Sequence, residues 1–532
     1  MNNKNNKWFY IIALMIVAMC TTSCLNDLNV VPINPQVTQT FNQDEVFAKT
    51  YASFAISGQQ GPAGNNDISI TDEGRFSLNR TLWNIQELST DEAICAWGDA
   101  EVVELNSDSW SSSNLSSEGL YARLYFVVTI SNHFLQETAA LKDDKTVKQR
   151  AEVRFLRALS YYYLMDIFGN VPFTEVISDK LPLQIKRADL FAYIEKELTA
   201  IEPDMYAPGA APYYRLDQAA NWLLKSRLYL NALVYTGTQR WDDAITYANK
   251  VMTSTYKLNP SYKQLFMADN AGSIDGSTNT APQEIIYPVA CDGVKTNGYG
   301  NSLFLIAATH TGDGFMPNWG STAGWGGNRA RATLVSKFFP GGNVPTSSTD
   351  LTTAAADDRA MLLSTGRTLA VTKVTDFTKG LSVIKFSNVR FDGKATSDPQ
   401  FTDMDIPLMR ASEAYLTYAE ANLRSANGTA ANALTAINAV RTRAHAAALS
   451  TITKDLNGLN QVLDEWSREF FFEGRRRTDL IRYGYFGGSS TYNWDWKGGT
   501  AAGTQFDVHF NVMPIPPGDL NANSNLKQNP GY

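Results

Sequence analysis

Two polar stretches of the sequence combine aromatic side chains with glycine and charged residues. They run from 72 to 99 and from 295 to 329. A flat aromatic ring can cover the C–H face of a sugar, while carboxylate, amide or guanidinium groups hydrogen-bond to its hydroxyl edge. Trp97 and Trp325 each adjoin glycine in these stretches. From the residues alone, ligand binding and burial in a core are about equally favoured for both.

A catalytic pair of carboxylates is the alternative chemistry. Glu473 and Asp479 lie six residues apart in one predicted helix. That spacing separates them by about 9 Å along the helix axis and puts them on different faces, which does not suit glycoside hydrolysis. These carboxylates, with Glu469, Arg154 and Arg157, alternate with apolar residues and are predicted to form ion pairs and caps. We therefore expect no enzyme.

Composition narrows the functional classes. The chain has 532 residues, of which 44% are hydrophobic and 19% charged, so it can bury a sizeable core. Its net charge of −7 gives no basic excess for nucleic acid. The four histidines lie far apart, and no His-x-x-x-His, Cys-x-x-Cys or Gly-x-Gly-x-x-Gly pattern occurs in a useful context. No cofactor is therefore expected.

Two smaller features leave alternatives open. Asp269, Asn270 and Asp275 could offer oxygens to Ca²⁺, although a complete calcium loop is missing and a solvated polar loop is the simpler interpretation. Cys95 and Cys291 could pair, but two cysteines make no disulfide framework. We expect both thiols to be free or buried.

The N-terminus has the pattern of an export signal. Lys4 and Lys7 precede an apolar run from Trp8 to Met19, which is too short to span a bilayer. Small residues then lead to Cys24, as in a bacterial lipobox. We predict a lipoprotein signal peptide over 1–23, with Cys24 lipidated and anchoring the chain to a membrane; an ordinary signal peptide is the alternative. Residues 24–42 are predicted to be an extended tether.

Helical periodicity dominates the rest of the chain. The predicted fold is mainly α, with helix pairs resembling tetratricopeptide units in a curved scaffold. Residues 258–405 are instead rich in Gly, Asn, Thr and Asp, and contain short strand-like runs at 284–289 and 381–386. The predicted organisation is an N-terminal helical region over 43–257, a loop-rich binding subdomain over 258–405 and a C-terminal helical region over 406–532. The predicted helices are 43–57, 118–141, 143–168, 187–201, 215–235, 241–253, 408–425, 429–446 and 460–483.

Four stretches of the chain resemble one family. They are Ala-Glu-Val-Arg-Phe-Leu-Arg-Ala-Leu at 151–159 with its continuation to 173, Ile-Pro-Leu-Met-Arg-Ala-Ser-Glu-Ala-Tyr at 406–415 with its continuation to 441, Arg-Glu-Phe-Phe-Phe-Glu-Gly-Arg-Arg-Arg-Thr-Asp-Leu at 468–480, and Pro-Ile-Pro-Pro at 514–517 with the terminal Gln-Asn-Pro-Gly-Tyr. In this order, and after a lipobox cysteine, they resemble the SusD/RagB outer-membrane lipoproteins of Bacteroidetes. The resemblance covers essentially the whole mature chain.

The resemblance implies particular site residues. Starch-binding members of the family present an arc of two tryptophans and one tyrosine, and Trp97, Tyr299 and Trp325 stand at the matching places. Asp72 and Arg80 match its polar contacts. One position departs, because the asparagine of the arc falls near Asp99 or Ala100. Tyr299 has the alternative of packing its ring within a Gly-rich turn.

The family resemblance also implies a role. A surface-exposed outer-membrane lipoprotein would capture starch-like α-glucan oligosaccharides and deliver them to a SusC-type TonB-dependent transporter. The alternative within the family is that the protein has the same role but binds a different glycan. Two rivals from other classes are a helical-repeat scaffold for peptides or proteins and an exported glycoside hydrolase.

Overall fold

Helices make up most of the regular structure. The computed structural model describes residues 41–58, 61–62, 66–69, 72 and 74–532. The predicted signal peptide, Cys24 and nearly all of the predicted tether lie outside the described residues. The helices before residue 260 are α1 (Gln43–Ala55), α2 (Leu78–Trp83), α3 (Ala100–Asn106), α4 (Leu115–Glu137), α5 (Asp144–Phe168), α6 (Arg187–Ile201), α7 (Gln218–Leu230), α8 (Ala232–Thr236) and α9 (Trp241–Met252).

Short helices and strands fill the middle of the chain, and long helices return after it. The later helices are α10 (Ser302–Ala307), α11 (Ala332–Phe338), α12 (Thr352–Ala355), α13 (Ser412–Arg424), α14 (Ala430–Arg443), α15 (Leu456–Phe470), α16 (Arg476–Arg482) and α17 (Pro517–Ala522). The strands are β1 (Ala93–Cys95), β2 (Val171–Phe173), β3 (Leu183–Ile185), β4 (Ile285–Val289), β5 (Asn328–Ala330), β6 (Leu362–Leu363), β7 (Ser382–Val383) and β8 (Ile406–Arg410). The prediction of a mainly helical fold with a few short strands is confirmed.

The helices pack in pairs and the strands pair in twos. Helix α4 packs on α5, α7 on α9, and α13 on α14, while α9 also packs on α13. The antiparallel strand pairs are β1–β5, β2–β3, β4–β8 and β6–β7. Residues Asp44–Tyr532 form one compact unit. The predicted boundaries at 257/258 and 405/406 stay predictions. The strand pair β1–β5 joins residues on either side of the first boundary, and β4–β8 joins residues on either side of the second.

Local signals set the helix ends. The Asp143 side chain accepts a hydrogen bond from Thr146 N at 3.0 Å and caps the start of α5. Gly169 ends the same helix with φ of 71°, a conformation that costs glycine little. The prediction of a helix over 143–168 is therefore nearly matched.

Three predicted helices are wrong in part. The predicted helix over 215–235 is divided at Asn231 into α7 and α8. Residues 408–410 belong to strand β8, because the 406–410 segment pairs with β4 before α13 begins. The predicted helix over 460–483 is two helices, α15 and α16. Phe472 and Gly474 interrupt it with φ of 65° and 74°. The break turns the chain so that both helices bury charged side chains.

The charged residues of the family stretches form partly or fully buried ion pairs, as predicted. Arg154 and Arg157 pair with Glu197, at 2.8 and 3.1 Å. Asp479 pairs with Arg475 and Arg482, at 3.1 and 2.8 Å. The Glu469 and Glu473 carboxylates contact Arg410 at 2.5 and 2.8 Å. These residues hold the scaffold together.

Glu420 of α13 provides a test of whether buried ion pairs stabilise the fold. Its carboxylate accepts hydrogen bonds from Arg482, Arg424 and the Trp466 indole at 2.7–2.8 Å. Burial alone would raise its pKa, but the two guanidinium groups outweigh burial and lower the pKa to about 2. A lowered folded-state pKa means that the ionised carboxylate stabilises the fold above its unfolded pKa of about 4.5 and loses that effect as pH falls toward 2.

We expect Glu420→Gln to cost about 3 kcal/mol of unfolding free energy at pH 7. The cost should shrink to about half of that value at pH 3, because the wild-type carboxylate then gains protons on unfolding. Urea unfolding of the wild type and of Glu420→Gln at both pH values measures this change in unfolding free energy. Glu137→Gln, at an exposed carboxylate, should stay within about 0.5 kcal/mol at either pH. A cost for Glu420→Gln that is independent of pH would contradict the account.

The remaining cysteines are internal. Within the described residues, Cys95 and Cys291 are both buried free thiols, as expected. Burial raises the pKa of each to about 12. None of the helices in the described ranges has the length and apolar character needed to cross a membrane.

Candidate binding cleft

Strands β1 and β5 bring the two polar stretches of the sequence together. They are antiparallel, with Cys95 opposite Asn328. Ala96 N extends the pairing by donating to Gly327 O at 3.0 Å. Trp97 follows β1, and Trp325 precedes β5. Because the two strands are antiparallel, both tryptophans lie at the same end of the strand pair. The two tryptophans therefore lie on neighbouring loops although they are more than 200 positions apart in sequence.

Helix α10 positions the third aromatic ring. The Asn301 side chain caps α10 by accepting from Leu303 N at 3.1 Å, directly after Tyr299. At the other end of α10, Ala307 O accepts from Trp325 N at 2.7 Å. The Tyr299 and Trp325 ring centroids lie 6.3 Å apart, with planes inclined by 46°. The two rings therefore form a bent surface.

Arg80 lies between two aromatic rings beneath the first tryptophan. Its guanidinium carbon is 5.2 Å from the centroids of Trp97 and Phe304, within cation–π range. Burial lowers its pKa. Among the described residues, the Nε atom of Arg80 has no hydrogen-bond partner. This guanidinium both supports Trp97 and keeps hydrogen-bonding capacity.

All six predicted ligand residues line one open cleft of about 540 Å³. Trp97, Tyr299 and Trp325 are half-buried; the two tryptophans pack against the hydrophobic core and also line the cleft, so neither is fully buried in the core. The Asp72 side chain is exposed at the cleft, and Asp99 is half-exposed there. Gly74 is the seventh lining residue. Contact of these six residues with a ligand stays a prediction.

Sequence reasoning missed several supporting residues. Arg75 contacts both Asp99 and Asp72, and Phe401 packs behind Tyr299 at 5.4 Å between centroids. Gly74 lies so close to Tyr299 that a Cβ would be 2.5 Å from the tyrosine Cβ. A Gly-Arg dipeptide inside a loop that already held candidate residues was the available signal for Gly74 and Arg75.

Two other tryptophans of these stretches have structural roles. Trp83 is 2% exposed and donates its indole N–H to Phe472 O at 2.9 Å. Trp319 donates to Ala323 O at 2.8 Å and packs beside His310. Neither lines the cleft.

Gly327 allows Trp97 its position. Its φ is 110°, and a Cβ there would overlap the Trp97 indole. We expect Gly327→Ala to displace the indole and weaken ligand binding by about tenfold, the factor for 1.4 kcal/mol. Gly98→Ala is the matched control, because no atom lies within 4 Å of its added Cβ. Titration followed by tryptophan fluorescence measures both variants. Equal affinity in the two variants would show that the indole position is unimportant.

The proposed calcium loop is held by protein contacts. The Asp269 carboxylate accepts from Phe391 N at 2.8 Å and from Ser277 Oγ at 2.6 Å. The Asn270 amide bonds to both backbone groups of Asp405. Across the described residues, no group of three or more His, Cys, Asp or Glu side chains could hold a metal ion. Asp269 and Asn270 are fully buried, so the interpretation of this stretch as a solvated polar loop is wrong, and their hydrogen bonds hold the loop in place.

The described fold places the chain among proteins with the SusD-like fold. A SusD homolog from Bacteroides thetaiotaomicron matches it with a TM-score of 0.70 and 17% identity, covering 92% of this chain and 96% of its own. Surface glycan-binding protein A of the same species, solved with laminarihexaose, has a TM-score of 0.65 and 18% identity, with 92% and 98% covered. At these identities the likeness concerns the fold alone.

Sequence comparison identifies the family. A model of the SusD family matches residues 370–532, and a model described as starch-binding associating with outer membrane matches residues 70–230. The chain is 42% identical to the starch-binding protein SusD of Bacteroides thetaiotaomicron, over the full length of both. The chain belongs to the SusD family.

Proposed function

We propose that this protein is a lipid-anchored glycan-binding protein of the outer membrane that captures α-glucan chains at the cell surface. The observation that carries the proposal is that Trp97, Tyr299 and Trp325 line one open cleft together with charged side chains. The 42% identity to a starch-binding protein supports the choice of glycan.

The bent aromatic surface suits a curved polymer. Planes inclined by 46° cannot both lie against one flat ribbon of sugar rings, but they can follow successive rings of a helical α-glucan. Stacking supplies apolar contact, and Asp72, Arg80 and Asp99 supply acceptors and donors for hydroxyl groups. An open cleft admits the middle of a long chain as well as its end.

The role we propose involves no bond cleavage. Hydrolysis needs one carboxylic acid that can donate a proton and a second carboxylate across the scissile bond. At the cleft, Asp99 pairs with the Arg75 guanidinium at 3.0 Å, and Asp72 accepts from Arg75 N at 3.0 Å. Both contacts suit carboxylates that act as hydrogen-bond acceptors. We propose no metal or other cofactor.

Anchoring and delivery complete the proposal. Cys24 would carry the lipid, and the bound glycan would pass to a SusC-type TonB-dependent transporter. Support for both comes from the lipobox pattern and from membership of the SusD family.

The test is affinity electrophoresis of protein lacking residues 1–24 through gels containing amylopectin, pullulan, a β-glucan or a fructan. We expect retardation by the two α-glucans only. Retardation by another glycan alone would keep a glycan-binding role and reject the α-glucan. No retardation in any gel would favour the protein-binding scaffold, and release of reducing sugar on long incubation would favour the hydrolase.

A further inference from the structure

Arg75 connects the two carboxylates at the rim of the cleft. Its backbone N–H donates to Asp72 Oδ1 at 3.0 Å, and its guanidinium Nη2 lies 3.0 Å from Asp99 Oδ1. The same guanidinium donates through Nε to Glu101 Oε1 at 2.6 Å. One residue therefore touches both acidic residues that line the cleft.

Glu101 fixes the guanidinium. Its side chain is 3% exposed, whereas that of Arg75 is 26% exposed. A buried carboxylate in a charge-assisted hydrogen bond restricts the arginine more than a solvent-exposed partner would. The guanidinium is consequently a fixed positive charge 3.0 Å from Asp99 Oδ1.

One carboxylate oxygen of Asp99 contacts Arg75, and the other can contact a ligand. It directly precedes α3, but its side chain makes no capping hydrogen bond. Within the described residues its carboxylate contacts only Arg75, through Oδ1. Its side chain is 38% exposed and lines the cleft. The second oxygen can therefore accept a hydrogen bond from a ligand while the first holds the carboxylate in place.

We propose that Arg75 is a positioning residue of the cleft, which fixes the Asp99 carboxylate as an acceptor for a glycan hydroxyl. The inference rests on the proposed function, since it requires a glycan in the cleft. A carboxylate only accepts hydrogen bonds, whereas an amide also donates them. The cleft thus requires a free hydroxyl donor on the sugar next to Asp99.

A double-mutant cycle between Arg75 and Asp99 tests the inference. Calorimetric titration with maltoheptaose compares the wild type with Arg75→Met, Asp99→Asn and the double variant. We expect each single substitution to weaken binding about tenfold, the value of one hydrogen bond to a charged group. In the Asp99→Asn background, Arg75→Met should change affinity less than about twofold, because its partner oxygen is then no longer charged.

Matched variants separate positioning from folding. Arg75→Met leaves the buried Glu101 carboxylate unpaired, so Arg75→Met with Glu101→Gln is measured beside it and should show the same tenfold loss. Arg240→Met is the surface control, because Arg240 also bridges two carboxylates, Glu195 and Asp243. It should leave affinity unchanged.

The possible outcomes are distinct. Equal costs of Arg75→Met in the wild-type and Asp99→Asn backgrounds, or full affinity in Asp99→Asn, would overturn the inference while leaving α-glucan capture intact. If maltoheptaose does not bind the wild type but another neutral glycan does, the proposed function loses its substrate, and the same cycle on that glycan decides the role of Arg75. Binding of no glycan at all would overturn both.

Discussion

Replacing Trp325 with alanine is expected to weaken binding of linear α-glucans by about 30-fold or more. The reason is that a central aromatic side chain in a binding site commonly contributes about 2 kcal/mol or more, and each 1.4 kcal/mol is a factor of about ten. Trp325 forms a bent surface with Tyr299, so its loss also removes the inclined plane that we propose favours a curved polymer. Calorimetric titration with maltoheptaose measures the effect.

The matched control for Trp325→Ala is Trp241→Ala. Trp241 is also half-buried, but it begins α9 and does not line the cleft. Its replacement should leave affinity within about twofold, as expected of a surface change away from the site. Equal losses in both variants would mean that the effect reflects stability. If Trp325→Ala binds maltoheptaose as tightly as the wild type, the aromatic surface does not contribute to binding.

The largest effect on stability is expected for Arg410→Met. Arg410 is fully buried and pairs with Glu469, Glu284 and Glu473, at 2.5, 3.0 and 2.8 Å. Its guanidinium carbon also lies 3.8 Å from the centre of the Phe470 ring. Removing one partner from such a network leaves buried charges uncompensated and typically costs about 3–5 kcal/mol. Urea unfolding at pH 7 measures this cost.

Lys145→Met provides the contrast. Lys145 pairs with Asp44 at 2.7 Å, but both side chains are more than half exposed. Exposed ion pairs contribute little because water screens them, so we expect a change below about 1 kcal/mol. A cost for Arg410→Met as small as that for Lys145→Met would show that the buried network does not stabilise the scaffold.

The long helices could be predicted because their signals are local. Asp143 and Gly169 mark the two ends of α5 in the sequence itself. The break between α15 and α16 had only a weak local signal, Gly474, because an isolated glycine is also tolerated inside a helix. The turn at residues 471–475 depends on tertiary contacts, such as the Trp83 indole donating to Phe472 O at 2.9 Å.

The aromatic residues of the cleft could be predicted, but their assembly could not. Glycine beside Trp97 and Trp325 left ligand binding and core burial about equally favoured, and the family resemblance selected these residues together with Tyr299. Strand β1, which brings the loops together, has only three residues and is too short to give a periodic signal. The Gly-Arg dipeptide was the only sequence signal for Arg75, and it could not reveal the role of this residue, which depends on the positions of Glu101 and Asp99 in space.

The most direct test of the central claim is a crystal structure of the protein with maltoheptaose. We expect glucose rings against Trp97, Tyr299 and Trp325, with hydroxyl groups hydrogen-bonded to Asp72, Arg80 or Asp99. Density for the glycan at another surface, with the cleft empty of sugar, would contradict it.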